Sequence, residues 1–112
     1  MALFDAQFLL EEYGDEALVR DLAKLLIETV PVQIDALRSA VNSGDGSALR
    51  AAAHKLRGSI VSFGATSAVE TARQLEAMGA AGDLTGADAL VPALAADVQS
   101  LCASAKVWLD SH

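Results

Sequence analysis

His54 lies in the one long stretch of an acidic chain that carries no acid. From Gly46 through Val69 there is no Asp or Glu, while Arg50, Lys55 and Arg57 place three cations around the histidine. The chain as a whole has a net charge of −7. A basic island in such a protein is a place to hold a small anion, although a solvated charged helix face would have the same composition. Cations beside an exposed imidazole favour its neutral form, because like charge disfavours protonation. A neutral ring keeps the lone pair that a nucleophile needs. Gly58, four residues on, is a mid-helix glycine that costs about 1 kcal/mol relative to alanine, and room for a partner to reach the histidine would account for it. Arg57, three residues on, is a helical neighbour able to hydrogen-bond phosphoryl oxygens and offset their charge.

These readings require a helix that turns His54 outward. With Leu49 at zero and about 100 degrees per residue, Leu49, Ala53, Leu56, Ile60 and Phe63 cluster near zero and form the buried stripe. His54 then falls near 140 degrees, with Ala51, Gly58 and Val61 as its outer neighbours. Arg50 and Arg57 flank one edge, and Lys55 flanks the other. The spacing predicts this helix from about Ser47 to Phe63, closed by Gly64.

The remaining elements follow from similar signals. Phe4, Phe8 and Leu9 mark a short first segment that stops at Gly14. Asp15 caps a long helix whose apolar stripe runs through Leu18, Leu22, Leu25, Leu26 and Val30, and on through Ile34, Leu37 and Val41. Pro31 must kink that helix or start a second one, and the unbroken phase of the stripe favours a kink. Ser67 to Glu70 reads as a capping box for a helix ending near Gly79, with a flexible link from Gly79 to Gly86. Thr85 to Asp88 is a weaker box for a last helix. In that helix Ala87, Val91, Leu94, Val98, Leu101, Ala105 and Trp108 alternate by four and three, the spacing of bundle cores. Composition agrees: 53% of the 112 residues are apolar, with few aromatics and two prolines. The expectation is an all-α single domain spanning 1–112, an antiparallel up-down four-helix bundle preceded by a short extra helix.

With the elements placed, a resemblance becomes legible. Ala53-His54-Lys55-Leu56-Arg57-Gly58-Ser59, followed by Phe63-Gly64-Ala65, resembles the signature of the histidine-containing phosphotransfer domains of two-component phosphorelays. Leu75-Glu76 and Gly82-Asp83 extend the likeness over nearly the whole chain. The resemblance implies that His54 is the phosphoacceptor and exchanges its phosphoryl group with an aspartate of response-regulator receiver domains, supplied by a sensor or hybrid histidine kinase. It implies that Arg57 stands where the family usually has lysine, a planar fork in place of a point charge. Gly58 and Ser59 match family positions, and Ile60 replaces a commoner small residue. Gln74 matches a polar position that contacts the phosphohistidine in some members; a solvated glutamine is an equal reading. The Mg²⁺ of the transfer would belong to the receiver, so no cofactor is expected on this chain. Arg50, Lys55, Ala51, Gly58 and Val61 would form the docking face.

Other classes fit less well. No Gly-rich phosphate loop accompanies Gly44 and Gly46, so an enzyme with its own ATP site is not expected. Negative charge and scarce aromatics argue against nucleic acid, and against anionic membrane surfaces. Asp5, Glu11 and Glu12 interrupt any apolar leader, and no run approaches the roughly 20 apolar residues of a membrane span. The single Cys102 cannot form an intrachain disulfide and is expected to pack as a small apolar residue. A cytoplasmic monomer is the expectation. A kinase dimerisation domain would carry an acid after the histidine and a proline soon afterwards, whereas Lys55 follows and no proline occurs between Pro31 and Pro92. A phosphorylation-independent helical adaptor is the remaining alternative. No set of Cys, His and carboxylates has metal-ligand spacing.

Overall fold

The computed structural model describes residues 3–112. Its elements are α1 (Ala6–Tyr13), α2 (Glu16–Ser43), α3 (Gly46–Ile60), a 3₁₀ turn (Val61–Phe63), α4 (Thr66–Ala81) and α5 (Ala87–Ser111). There is no strand among the described residues. α2 packs on α3 and α5, and α4 also packs on α3 and α5, so the four long helices close a ring around one apolar core. This is the four-helix bundle with a short N-terminal helix that the periodicity predicts.

Local chemistry sets most boundaries. Asp15 Oδ1 accepts from the Ala17 and Leu18 amides at 2.9 and 3.4 Å, satisfying donors that the first turn of α2 leaves free. Asp45 does the same for α3 through the Ala48 amide at 3.0 Å. Gly64, at φ 69°, closes the 3₁₀ turn in the left-handed conformation that glycine adopts without strain. Pro31 lies inside an α2 that continues on both sides of it.

Three expectations are corrected. The first concerns α2, whose buried face is Val19, Ala23, Leu26, Val30, Ile34, Leu37 and Ala40. Leu18 and Leu25, read as core, are 39% and 60% exposed, and Leu22 is half-buried. α2 carries two adjacent apolar arcs, and α3 and α5 cover only one. Secondly, neither capping box forms. α4 starts at Thr66 after Ala65, with no side-chain cap, because the Gly64 carbonyl takes the Thr66 amide at 2.8 Å and places Ser67 inside the helix. α5 starts after Gly86 rather than at Thr85, again with no side-chain cap.

Thirdly, α4 runs through Gly79 to Ala81 and is capped by Gly82, so the link to α5 is shorter than expected. Gly79 is a contact point instead. A Cβ there would lie 2.5 Å from the Gly46 carbonyl oxygen and 2.6 Å from the Arg50 amide nitrogen. The missing side chain lets α3 and α4 approach backbone to backbone one turn ahead of His54.

The α5 seam is buried as expected from Ala87 to Ala105, and Trp108 is half-buried. The Phe4 ring packs at a tilt against both Phe63 and Trp108, with centroids at 5.9 and 5.5 Å. Its amide donates to Ser104 Oγ at 3.0 Å, tying the start of the described chain to α5. Cys102 is half-buried with its Sγ 3.8 Å from the Leu26 carbonyl oxygen, and burial pushes its thiol pKa up.

Candidate functional site

α3 buries Leu49, Ala52, Ala53, Leu56 and Ile60 against the core. That face dictates the other: the His54 side chain is 66% exposed. Ala51, Lys55 and Gly58 are exposed beside it, and Val61 is 54% exposed just beyond. A Cβ on Gly58 would meet nothing within 4 Å, so the space over it opens to solvent.

The ring is not surrounded by cations alone, as the α3 sequence suggests. His54 Nδ1 lies 2.9 Å from Glu76 Oε1, across the α3–α4 interface. Arg57 Nε donates to Glu76 Oε2 at 2.9 Å, and its Nη2 reaches Oε1 at 3.4 Å. The Glu76 side chain is 20% exposed. The Arg57 hydrogen bond, helped by the one from His54, holds its carboxyl below the ordinary carboxylate pKa although burial works the other way. An ionised carboxylate only accepts, so the proton of a neutral His54 resides on Nδ1. The 3.2 Å approach of Arg57 Nη2 to Nδ1 then reflects two donors converging on one oxygen. The other ring nitrogen, Nε2, keeps its lone pair.

One hollow borders the ring, and a second opens beside Gly58, one turn further along α3. The first, about 370 Å³, is lined by Ser47, Arg50, Ala51, His54 and Glu76. The other, about 320 Å³, lies between α2 and α3 and is lined by Leu22, Leu25, Leu26, Thr29, Gly58, Ser59, Ser62 and Phe63. Ser59 is committed to structure: its Oγ accepts from Gln33 Nε2 at 2.8 Å and donates to the Lys55 carbonyl at 3.1 Å.

The structure thus gathers His54, Arg57, Gly58, Lys55, Arg50, Ala51 and Val61 on one face. It does not bring Gln74 there. Gln74 is exposed, and it is two residues from Glu76, hence about 200 degrees around α4. Glu76 and Ser47 are the site residues that reasoning from α3 missed. Two signals pointed to Glu76: its place in the Leu75-Glu76 pair of the family likeness, and Gly79 one turn later, an interior glycine that marks the α4 face touching α3. Among the described residues, no group of three or more His, Cys, Asp or Glu side chains could hold a metal ion. No helix of the described residues is long and apolar enough to cross a membrane.

Comparison with known proteins agrees with this geometry. The family model described as "Hpt domain" matches residues 21–104. The virulence sensor protein BvgS of Bordetella bronchiseptica is 33% identical over 114 aligned residues, covering 99% of this chain, as is BvgS of Bordetella parapertussis. The chain spans only 9% of the length of these relatives. No solved structure matches it. A solvent-facing histidine clamped at Nδ1, in a helical bundle matched by that model over three-quarters of its length, establishes that the chain belongs to the histidine-containing phosphotransfer (Hpt) domain family.

Proposed function

We propose that this domain is a phosphorelay carrier in a two-component system, taking a phosphoryl group on Nε2 of His54 and exchanging it with an aspartate of a response-regulator receiver domain. The observation that carries the reading is the Nδ1–Glu76 hydrogen bond on a ring that otherwise faces solvent. In the acceptor direction, the Nε2 lone pair forms the N–P bond while the P–O bond to the aspartate breaks, and the carboxylate oxygen keeps the electron pair. The Nδ1 proton stays in place, and the positive charge that develops on the ring faces Glu76. Holding that charge in advance is the kind of preorganised stabilisation that lowers a transfer barrier. Arg57 orients the carboxylate that orients the histidine.

Phosphoryl transfer depends chiefly on alignment and on charge neutralisation, so a small carrier needs little covalent machinery of its own. In this reading Mg²⁺ and the acidic pocket belong to the receiver, and phosphoryl groups enter the relay from a sensor or hybrid kinase in the cytoplasm. The receiver docks on the low-relief surface of Ala51, Gly58 and Val61. From there it extends over the α2–α3 groove, where Leu22 and Leu25 offer unburied apolar area. Lys55 borders this face and contributes to the choice of receiver.

The test is to mix the domain with a ³²P-labelled phospho-receiver and Mg²⁺. Acid-labile, alkali-stable label should appear on the wild type and be absent from His54→Gln. Signalling and partner phosphorylation that survive His54→Gln would favour the adaptor reading instead.

A further inference from the structure

The cation that the sequence motif highlights is already paired with a carboxylate, and among the described residues a second cation beside the histidine is not. Arg57 is 29% exposed and bonded to both oxygens of Glu76, and it does not line the hollow shared by Ser47, Arg50, Ala51 and His54. Arg50 lines that hollow and has no ion-pair partner among the described residues. It also borders an adjoining groove of about 310 Å³ with Arg57, Arg73, Glu76, Ala77 and Ala80. The small alanines leave space around its guanidinium.

Its base is fixed. The Gly79 contact presses α4 against the Arg50 backbone, so the side chain departs from a rigid point one helical turn before His54. Side chains of an α-helix lean toward its N-terminus, which tilts the ring toward Arg50 and Ser47. His54 lines this hollow together with Glu76, which holds its Nδ1.

We propose that Arg50, assisted by the Ser47 hydroxyl, binds the phosphoryl oxygens of phospho-His54 and sets the lifetime of the N–P bond, while Arg57 acts only through Glu76. The inference rests on the carrier reading above. Hydrolysis joins a water oxygen to phosphorus, breaks the N–P bond and returns the electron pair to Nε2, releasing inorganic phosphate. For that step a water must reach phosphorus in line with the breaking N–P bond. A guanidinium bonded to the phosphoryl oxygens occupies that approach and slows the step.

The experiment needs no partner protein. The folded domain is phosphorylated with phosphoramidate, desalted, and the phosphohistidine followed by ³¹P NMR. Arg50→Gln should shorten the half-life about three- to tenfold, the range of one charge-assisted hydrogen bond weakened by solvent. Arg50→Lys should recover part of the loss, and Ser47→Ala should have a smaller effect, all with unchanged melting temperatures. Equal half-lives for wild type and Arg50→Gln would overturn the proposal, as would a shortening by Arg57→Gln that Arg50→Gln does not show. A wild type that accepts no phosphoryl group at all would sink the carrier reading, and this inference with it.

Discussion

The two sides of His54 are built from opposite materials. Toward α4, Gly46 and Gly79 bring backbones into contact and a Glu76–Arg57 pair holds the ring by Nδ1. Toward α2, a groove of leucines, serines and Gly58 stays open, and Leu25 is 60% exposed. The close side contributes orientation; the open side contributes access. A carrier needs both, because a nucleophile must be aligned before a partner arrives and unobstructed when it does.

The same substitution on the two sides should separate these roles most sharply. Gly79→Ala inserts a Cβ within 2.6 Å of α3 backbone atoms and should cost about 3 kcal/mol as the helices are forced apart. Gly58→Ala meets open space and should stabilise the domain by up to about 1 kcal/mol. Urea unfolding of the two variants checks both signs, and similar values would erase the contrast.

Next in size is an effect on the open side that leaves the fold alone. Leu25→Glu should slow phosphoryl exchange with a receiver about tenfold, the loss of one well-placed apolar contact. Labelling by phosphoramidate should be unchanged. If both rates fall together, the groove is not a docking surface.

The smallest effect is a pH dependence on the close side. The carboxyl of Glu76 has a lowered pKa in the folded protein, so the unfolded chain binds more protons over the carboxylate range, and stability rises with pH there. The contribution is present above the ordinary carboxylate pKa and is lost as pH falls through the lowered folded value. Melting temperatures of wild type and Glu76→Gln should therefore converge on acidification. A gap independent of pH would mean that the ion pair contributes no proton linkage.

How far these features were legible in the sequence depends on the range of the interaction behind each. Gly14, Asp15 and Gly64 act through bonds to residues a few positions away, and each ends or starts a segment as read. The α5 seam was equally clear, because that helix has one apolar arc. α2 has two, and periodicity alone could not decide that Val19 and Ala23 face inward while Leu18 and Leu25 do not. Ser67 and Thr85 carry capping side chains, yet the Gly64 turn and the Gly86 start displaced both. The outward histidine and its small, basic neighbours followed from the α3 wheel. Glu76 did not, since it reaches His54 from 22 residues away, across an α3–α4 interface that the glycine contact lets close.

The most direct test of the account reads the two ring nitrogens of His54 separately. In ¹⁵N-histidine-labelled domain treated with phosphoramidate, two-bond ¹H–¹⁵N spectra should show Nε2 carrying the phosphorus and Nδ1 carrying the proton, with Nδ1 already the protonated nitrogen of the neutral ring beforehand. Phosphorus on Nδ1, or a free domain whose neutral His54 is protonated at Nε2, would contradict the claim that Glu76 selects the reacting atom.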